Sequence, residues 1–150
     1  MPLQIKIKYE KGAKRLEKIE KGDWIDVYAN EEVRLKEGQF AVISLGFACQ
    51  LPEGYEAHLA PRSSTFKKWG IVETNGFGVI DESYCGDDDI WKMPVYCIEA
   101  KDSNHITTTI HKGDKIGQFR IIEKMPPVEF VEVDSLGNEN RGGFGSTGSV

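Results

Sequence analysis

Three short segments carry residue types that chemistry needs. In "APRSSTFKKWGI" (residues 60–71), a proline ends an apolar alternation, and Arg62, Ser63 and Ser64 follow it. A guanidinium presents forked donors that suit phosphate, and serine hydroxyls with loop N–H groups bond phosphate oxygens. Pro-Arg-Ser-Ser also makes a plain turn. In "NGFGVIDESYCGD" (75–87), an apolar run ends in Asp81 and an aromatic follows at Tyr84. A carboxylate at the end of a buried strand can be held beside water as a general base. The same residue can simply cap a turn, and Tyr84 can stack on a ligand ring or pack in the core. The third segment is "RGGFGSTG" (141–148), in which four of eight residues are glycine. Glycine loses the most backbone entropy on ordering and permits close approach to an anion. Ser146 and Thr147 are donors there. A lone Phe144 among glycines separates the segment from ordinary disordered tails, which are poor in aromatics.

The elements that must hold these segments read as strands. "LQIKIKYE" (3–10) alternates apolar and polar residues, as a half-buried strand does. "QFAVISLGFACQLP" (39–52) reads as one buried strand ended by Pro52, and "YEAHLAPRSS" (55–64) alternates Tyr55, Ala57 and Leu59 up to Pro61. "MPVYCIEAK", "HITTTIH", "DKIGQFRIIE" and, after two prolines, "PVEFVEV" follow. Glycine-bearing turns punctuate them, so the expected class is all-β: a sandwich, jelly roll or barrel. "AKRLEKIEKG" (13–22) reads equally as one or two helical turns capped by Gly22 or as a solvated charged connection.

Composition bounds the function. The chain has 150 residues, 39% hydrophobic and 29% charged, which suits one globular domain. Its formal net charge of -5 gives no basic footprint for nucleic acid. No apolar run approaches the ~20 residues of a membrane span, and "MPLQIKIKYEKG" has no long apolar core of a secretory leader. Cys49, Cys85 and Cys97 are odd in number with no Cys-x-x-Cys pair, which favours a reducing cytoplasm over disulfides or structural zinc. His58, His105 and His111 lack metal-ligand spacing, nothing in the sequence activates Cys85, and Trp69 and Trp91 read as packing residues.

In chain order, "GDWIDVYA" (22–29), "PRSS" (61–64), "NGFGVIDESYCGD", "KGDKIGQF" (112–119) and "GGFGSTG" (142–148) resemble the five motifs of the trimeric dUTP diphosphatases. The resemblance covers residues 22–148. It implies a distorted jelly-roll β-barrel or sandwich over 1–150 with a flexible Gly-rich C-terminal arm, residues 134–150, acting as a mobile lid. It further implies a homotrimer with sites between subunits, and Mg²⁺-assisted hydrolysis of dUTP to dUMP and pyrophosphate. By the same resemblance, Asp81 activates the water that attacks the α-phosphorus, and Tyr84 packs on the deoxyribose. Asn75 and the backbone through Gly78 and Ile80 read the uracil edge. Arg62, Ser63 and Ser64 contact the phosphates, one serine reaching the α–β bridging oxygen, with Gln118 nearby. Asp26 orders water around Mg²⁺ or braces the site. Phe144, with Gly145 beside it, closes over the uracil, and Ser146 and Thr147 hold the γ-phosphate. Arg141 abuts Gly142, whereas the family's arginine usually lies farther ahead, where Glu139 stands here. Trp24 and Ile25 also depart from the first motif, so Asp26 is matched by spacing. The acidic residues 87–89 read as a solvated turn.

Two rivals remain on the same fold. A dCTP deaminase needs a glutamate shortly after the third-motif glycine, and here Asp87, Asp88, Asp89, Ile90 and Trp91 follow Gly86. A nucleotide-gated protein-interaction regulator would use residues 14–21 or the 87–89 turn.

Overall fold

The computed structural model describes residues 1–145 and Gly148. Among these, the strands run β1 (Lys6–Tyr9), β2 (Ile25–Tyr28), β3 (Val33–Lys36), β4 (Phe40–Ser44), β5 (Phe47–Gln50) and β6 (Tyr55–Pro61). A single helical turn, α1 (Thr65–Trp69), precedes β7 (Ile71–Glu73), β8 (Gly78–Ile80), β9 (Lys92–Cys97), β10 (Thr107–Ile110) and β11 (Lys115–Glu123). They form sheets ordered β2-β11-β6-β8 and β4-β9-β7 and the ribbons β1-β5 and β10-β3, with every pairing antiparallel. The fold is all-β, a distorted jelly roll. No helix among the described residues is long and apolar enough to cross a membrane.

Inward positions of the sheets meet in one core around Trp91, which is fully buried with Phe47, Ile43, Met93, Val95 and Ile116. The Trp91 ring lies 4.9 Å from Phe47 and 5.0 Å from Phe119, edge-on to the latter, a favourable arrangement of ring quadrupoles. Its backbone N–H donates to the Phe47 carbonyl (2.8 Å) and its carbonyl accepts from the Leu45 N–H (2.9 Å). Trp91 thus closes the corner between β4 and β5 as well as filling the centre.

The structure overturns two expectations from the sequence, decides one open choice and adds one element. Residues 39–52 are two strands, because Gly46 adopts φ +79° and breaks the run. A Cβ there would stand 2.7 Å from the Asn30 side chain, so only glycine fits the corner. Residues 13–22 form no helix. The charged connection is pinned instead by the Leu16 N–H donating to the Tyr9 hydroxyl (2.8 Å) and by Arg15 stacked 4.4 Å over the Tyr9 ring. Residues 127–133 form no strand, although the sequence suits one. Strand backbone needs a pairing partner, and in the single chain Phe130 (95% exposed) and Val131 lie open to solvent. Helix α1 is not expected from the sequence: its five residues are too few to show a helical period, no acidic residue occupies its first turn, and Ser64 makes no side-chain capping bond.

Gly70 ends α1 in the left-handed region at φ +66°, its N–H donating to the Phe66 carbonyl at 2.7 Å. Its own carbonyl accepts from the Ile98 and Glu99 N–H groups (2.8 and 3.1 Å), and a Cβ would collide with the Glu99 carbonyl. Gly70→Ala is expected to lower stability by roughly 2 kcal/mol or more, read by thermal unfolding followed through tryptophan fluorescence. An unchanged midpoint would contradict this packing.

Glu73 closes β7 with its side chain buried and neither carboxyl oxygen hydrogen-bonded. Burial pushes its pKa up to about 8, against a smaller downward pull from the Gly78 backbone N–H. The native state therefore retains a proton that an unfolded glutamate releases near 4.5, so this group makes stability fall as pH rises from about 4.5 to 8. Glu73→Gln mimics the protonated form. It should match the wild type near pH 4.5 and exceed it by roughly 1–4 kcal/mol above pH 8, at fixed protein concentration. Parallel stability–pH curves for the two proteins would refute the assignment.

Candidate active site

The strand register assembles one half of the site. Asp26 on β2 pairs with Gln118 on β11, which pairs with Ala60 on β6. These three positions form a row across the sheet, and Arg62 follows just past the end of β6. The Arg62 Nε lies 3.1 Å from Asp26 Oδ1, and Lys115 Nζ lies 3.6 Å from Oδ2. Both Asp26 oxygens thus face cations, and the carboxylate holds the guanidinium in place. Gln118 Nε2 donates to the Pro61 carbonyl at 3.2 Å, fixing the amide against the start of the turn. Ser63 is exposed and Ser64 half-buried at the start of α1. A half-buried arginine beside two hydroxyls and a loop backbone is a competent receptor for phosphate oxygens.

The other half is built by β8, which pairs with the middle of β6 and runs toward its start: Gly78 faces Leu59 and Ile80 faces Ala57. Asp81 leaves β8 exposed to solvent. Its carbonyl accepts the Tyr84 N–H (3.0 Å), and the Tyr84 hydroxyl donates to the Ile90 carbonyl (3.0 Å). The Tyr84 ring is thereby anchored at its far end with a face left open. Asn75 starts a tight hairpin, in which the Gly76 N–H donates to the Glu73 carbonyl (3.1 Å) and the Phe77 N–H to the Asn75 carbonyl (2.8 Å). Asn75, Gly78, Ile80, Asp81 and Tyr84 thus follow one another along the hairpin, strand β8 and the loop after it, with Gly78 buried and Asn75, Asp81 and Tyr84 exposed.

The two halves do not converge within one chain. Asp81 continues past the Ile80–Ala57 pair, level with Glu56, and Arg62 lies about six residues farther along the same strand line. At ~3.3 Å per residue the separation is roughly 20 Å. Arg141, Phe144 and Gly145 belong to an arm without regular structure, with Phe144 wholly exposed and far from enclosing anything in its own chain. Ser146 and Thr147 lie outside the described residues. Among the described residues no group of three or more His, Cys, Asp or Glu side chains could hold a metal ion.

Three contributors escaped the sequence reading. Lys115 stands inside "KGDKIGQF", but only the strand register brings it to Asp26. Glu82, beside Asp81, accepts from Lys124 Nζ (2.6 Å) and from the Gly54 N–H (3.3 Å), tying the Asp81 loop to the end of β11. That contact holds the Glu82 carboxyl below and the Lys124 ammonium above their ordinary ranges. Thr65 is fully buried beneath the Arg62 turn. The Lys115–Asp26 and Glu82–Lys124 contacts and the Thr65 bond to Ile116 join residues far apart in sequence, so no local motif marks them. Residues 87 and 88 are exposed, Asp89 accepts from the Gly86 N–H (2.8 Å), and Trp91 is core.

A sequence model of the dUTPase family matches residues 24–148. The SPbeta prophage-derived deoxyuridine 5'-triphosphate nucleotidohydrolase of Bacillus subtilis (strain 168) is 53% identical over 148 residues, covering 98% of this chain and 99% of the relative. The deoxyuridine 5'-triphosphate nucleotidohydrolase of Neorickettsia sennetsu is 36% identical over 117 residues, 77% of this chain and 72% of its own. In fold, the chain superposes with TM-score 0.79 on a dUTPase of Staphylococcus bacteriophage 80alpha with dUpNHpp, at 23% identity over 97% of this chain and 99% of that one. It superposes with TM-score 0.73 on the dUTPase of Staphylococcus aureus phage phi11, a protein with a structural Mg(II) ion, at 24% identity over 89% and 98% of the two chains. With the family model spanning most of its length and a full-length relative above half identity, the chain belongs to the dUTPase family.

Proposed function

We propose that the protein hydrolyses dUTP to dUMP and pyrophosphate at three sites of a homotrimer, each shared between subunits. The carrying observation is the separation along β6: the phosphate-receptor row and the Asp81 surface stand at opposite ends of one strand. One chain can close neither end over a nucleotide, whereas the Arg62 end of one subunit set against the Asp81 end of another makes a whole site. The outward face of β4-β9-β7 supports assembly. Phe40 pairs with Tyr96, and Val42 with Pro94, leaving Phe40, Val42 and Tyr96 57%, 46% and 40% exposed. Apolar side chains side by side on a sheet face are what a contact between copies would cover.

In this reading the Asp81 carboxylate takes a proton from water as that water attacks the α-phosphorus. Arg62, Ser63 and Ser64 direct donors to the phosphate chain, and one serine donates to the α–β bridging oxygen as it leaves with negative charge. Asp26 acts by holding Arg62 and Lys115, and Gln118 by supporting the turn at Pro61. Asn75 and the hairpin backbone bond the uracil edge, and a wrong base would leave those groups unpaired. Tyr84 offers its open face to the sugar. The arm of a further subunit brings Arg141, Phe144, Gly145, Ser146 and Thr147 over the bound nucleotide and excludes water. Because the described residues supply no cage of ligands, Mg²⁺ would arrive chelated by the triphosphate, neutralising part of its charge, with at most a water-mediated contact to Asp26. The substrate and product are small soluble metabolites, which fits a cytoplasmic setting.

Pyrophosphate release with Mg²⁺ tests the activity. Turnover of dUTP but not of dCTP, dTTP or UTP is expected, with Asp81→Asn lowering kcat by roughly 10²–10⁴. Ammonia release from dCTP would instead place the chain with the deaminases, and a fully active Asp81→Asn would remove the base assignment.

Subunit mixing tests the shared site. Asp81→Asn and Arg62→Ala are each expected to be inactive alone. Co-refolded at equal amounts, they should recover about a quarter of wild-type activity, because random trimers place an intact Asp81 surface against an intact Arg62 turn at one junction in about four. No recovery, from trimers shown to contain both chains, would mean that the site lies within one chain.

A further inference from the structure

The Arg62-Ser63-Ser64 turn has to hold its donors still, yet it is a loop between a strand end and a one-turn helix. Its only deeply buried polar member is Thr65, at 0% exposure. The Thr65 hydroxyl is used twice. It accepts the Arg62 backbone N–H at 2.8 Å and donates to the Ile116 carbonyl at 3.0 Å. The Thr65 N–H closes the loop by donating to the Arg62 carbonyl at 3.0 Å. Ile116 lies on β11 between Lys115 and Gly117, where the pairing with β2 is irregular, next to the strand positions that present Lys115 and Gln118.

We infer that Thr65 is a positioning residue for triphosphate binding, its hydroxyl locking the Arg62-Ser63-Ser64 turn to the β11 backbone that carries Lys115 and Gln118. The inference rests on the phosphate-receptor reading of that turn. The chemistry is a two-sided demand that few side chains meet. The site must accept from one backbone N–H and donate to one backbone carbonyl inside the protein, where no water can substitute. Serine and threonine supply both roles from one atom. Valine has the same shape and supplies neither. It would leave a buried N–H and a buried carbonyl unpaired, and the turn would relax toward solvent to satisfy them. Arg62 would then move relative to Asp26, and the serine hydroxyls relative to the bridging oxygen. A shift of about 1 Å at such donors is enough to cost on the order of tenfold to a hundredfold in rate.

This role separates from general stability by the part of the substrate it touches. The experiment compares wild type, Thr65→Val and Thr65→Ser for kcat and for affinity toward dUMP and toward a non-hydrolysable α,β-imido analogue of dUTP, below the melting point of each protein. Thr65→Val should lose about tenfold or more in kcat and in affinity for the analogue, while binding dUMP within about twofold of wild type. Thr65→Ser, which keeps the hydroxyl, should restore both. Unchanged constants in folded Thr65→Val would overturn the inference and leave Thr65 a core residue. So would an equal loss for dUMP and the analogue, which signals general loosening. If Thr65→Val does not fold, amide exchange in the wild type decides. The Arg62 N–H should be protected, and fast exchange would mean that the clamp does not exist. A wild type that neither binds the analogue nor turns over dUTP would defeat the functional reading itself, while the exchange result would still report on the clamp.

Discussion

Strand β6 is the ruler of this molecule. Its backbone is committed to β11 over its whole length and, on the other side, to β8 over its middle residues 57–59. A strand paired on both edges cannot bend or slide without breaking many hydrogen bonds at once. The distance between what stands at its two ends is therefore fixed. At one end it delivers Arg62 into a turn, and at the other it holds β8 so that Asp81 emerges level with Glu56. The same strand that makes both halves of the site rigid keeps them apart, so rigidity of each half and completeness within one chain are incompatible. Assembly resolves the conflict in the proposed reading, since a second copy supplies the missing half without either strand having to move.

Polar side chains convert that frame into positions of individual atoms. Asp26 reaches Arg62 and Lys115 because β2, β11 and β6 lie in register, and the cluster is only partly exposed, so its charges attract more strongly than they would in open water. Glu82 and Lys124 perform the equivalent fastening at the other end, in a more exposed setting where screening leaves such a pair little intrinsic energy. Its value lies in geometry: it joins the loop after Asp81 to the point where β11 gives way to the arm. Glu73 is the outlier. Its carboxyl is buried without a hydrogen-bond partner, and burial raises its pKa to about 8, which favours the uncharged form.

What the sequence made legible, and what it hid, follows from the range of the interactions involved. Strands such as β6 and β11 announce themselves because one face is buried and the apolar spacing records it. The three-residue strands β7 and β8 are too short to carry a period and are defined by their neighbours. Residues 39–52 read as one apolar run, but the left-handed backbone of Gly46 makes a corner between two strands. The motif residues were legible through their order along the chain. Their partners were not: Lys115, Thr65 and the Glu82–Lys124 pair depend on registers between segments tens of residues apart. The 127–133 segment failed in the opposite direction. Its composition is that of a strand, but composition does not supply the neighbouring backbone that a strand must bond.

That unpaired segment and the divided site point the same way. Residues 124–145 carry Met125, Val128, Phe130, Val131, Val133, Leu136 and Phe144 in the open, in addition to sheet-face residues such as Phe40, Val42 and Tyr96. Leaving so many large side chains in water is unfavourable, at roughly 25 cal/mol for each Å² of apolar surface, and the arm cannot fold back without unpaired backbone entering its own core. In the proposed reading another subunit would offer both cover for these side chains and a nucleotide for Phe144 to close upon. An arm anchored at Lys124 beside one subunit's Asp81 loop, and closing over a site formed by others, would make closure a property of the assembly. Substrate binding would then draw on the whole trimer, and the apolar surface that is a liability to the single chain would become the means by which three chains exclude water from one reaction.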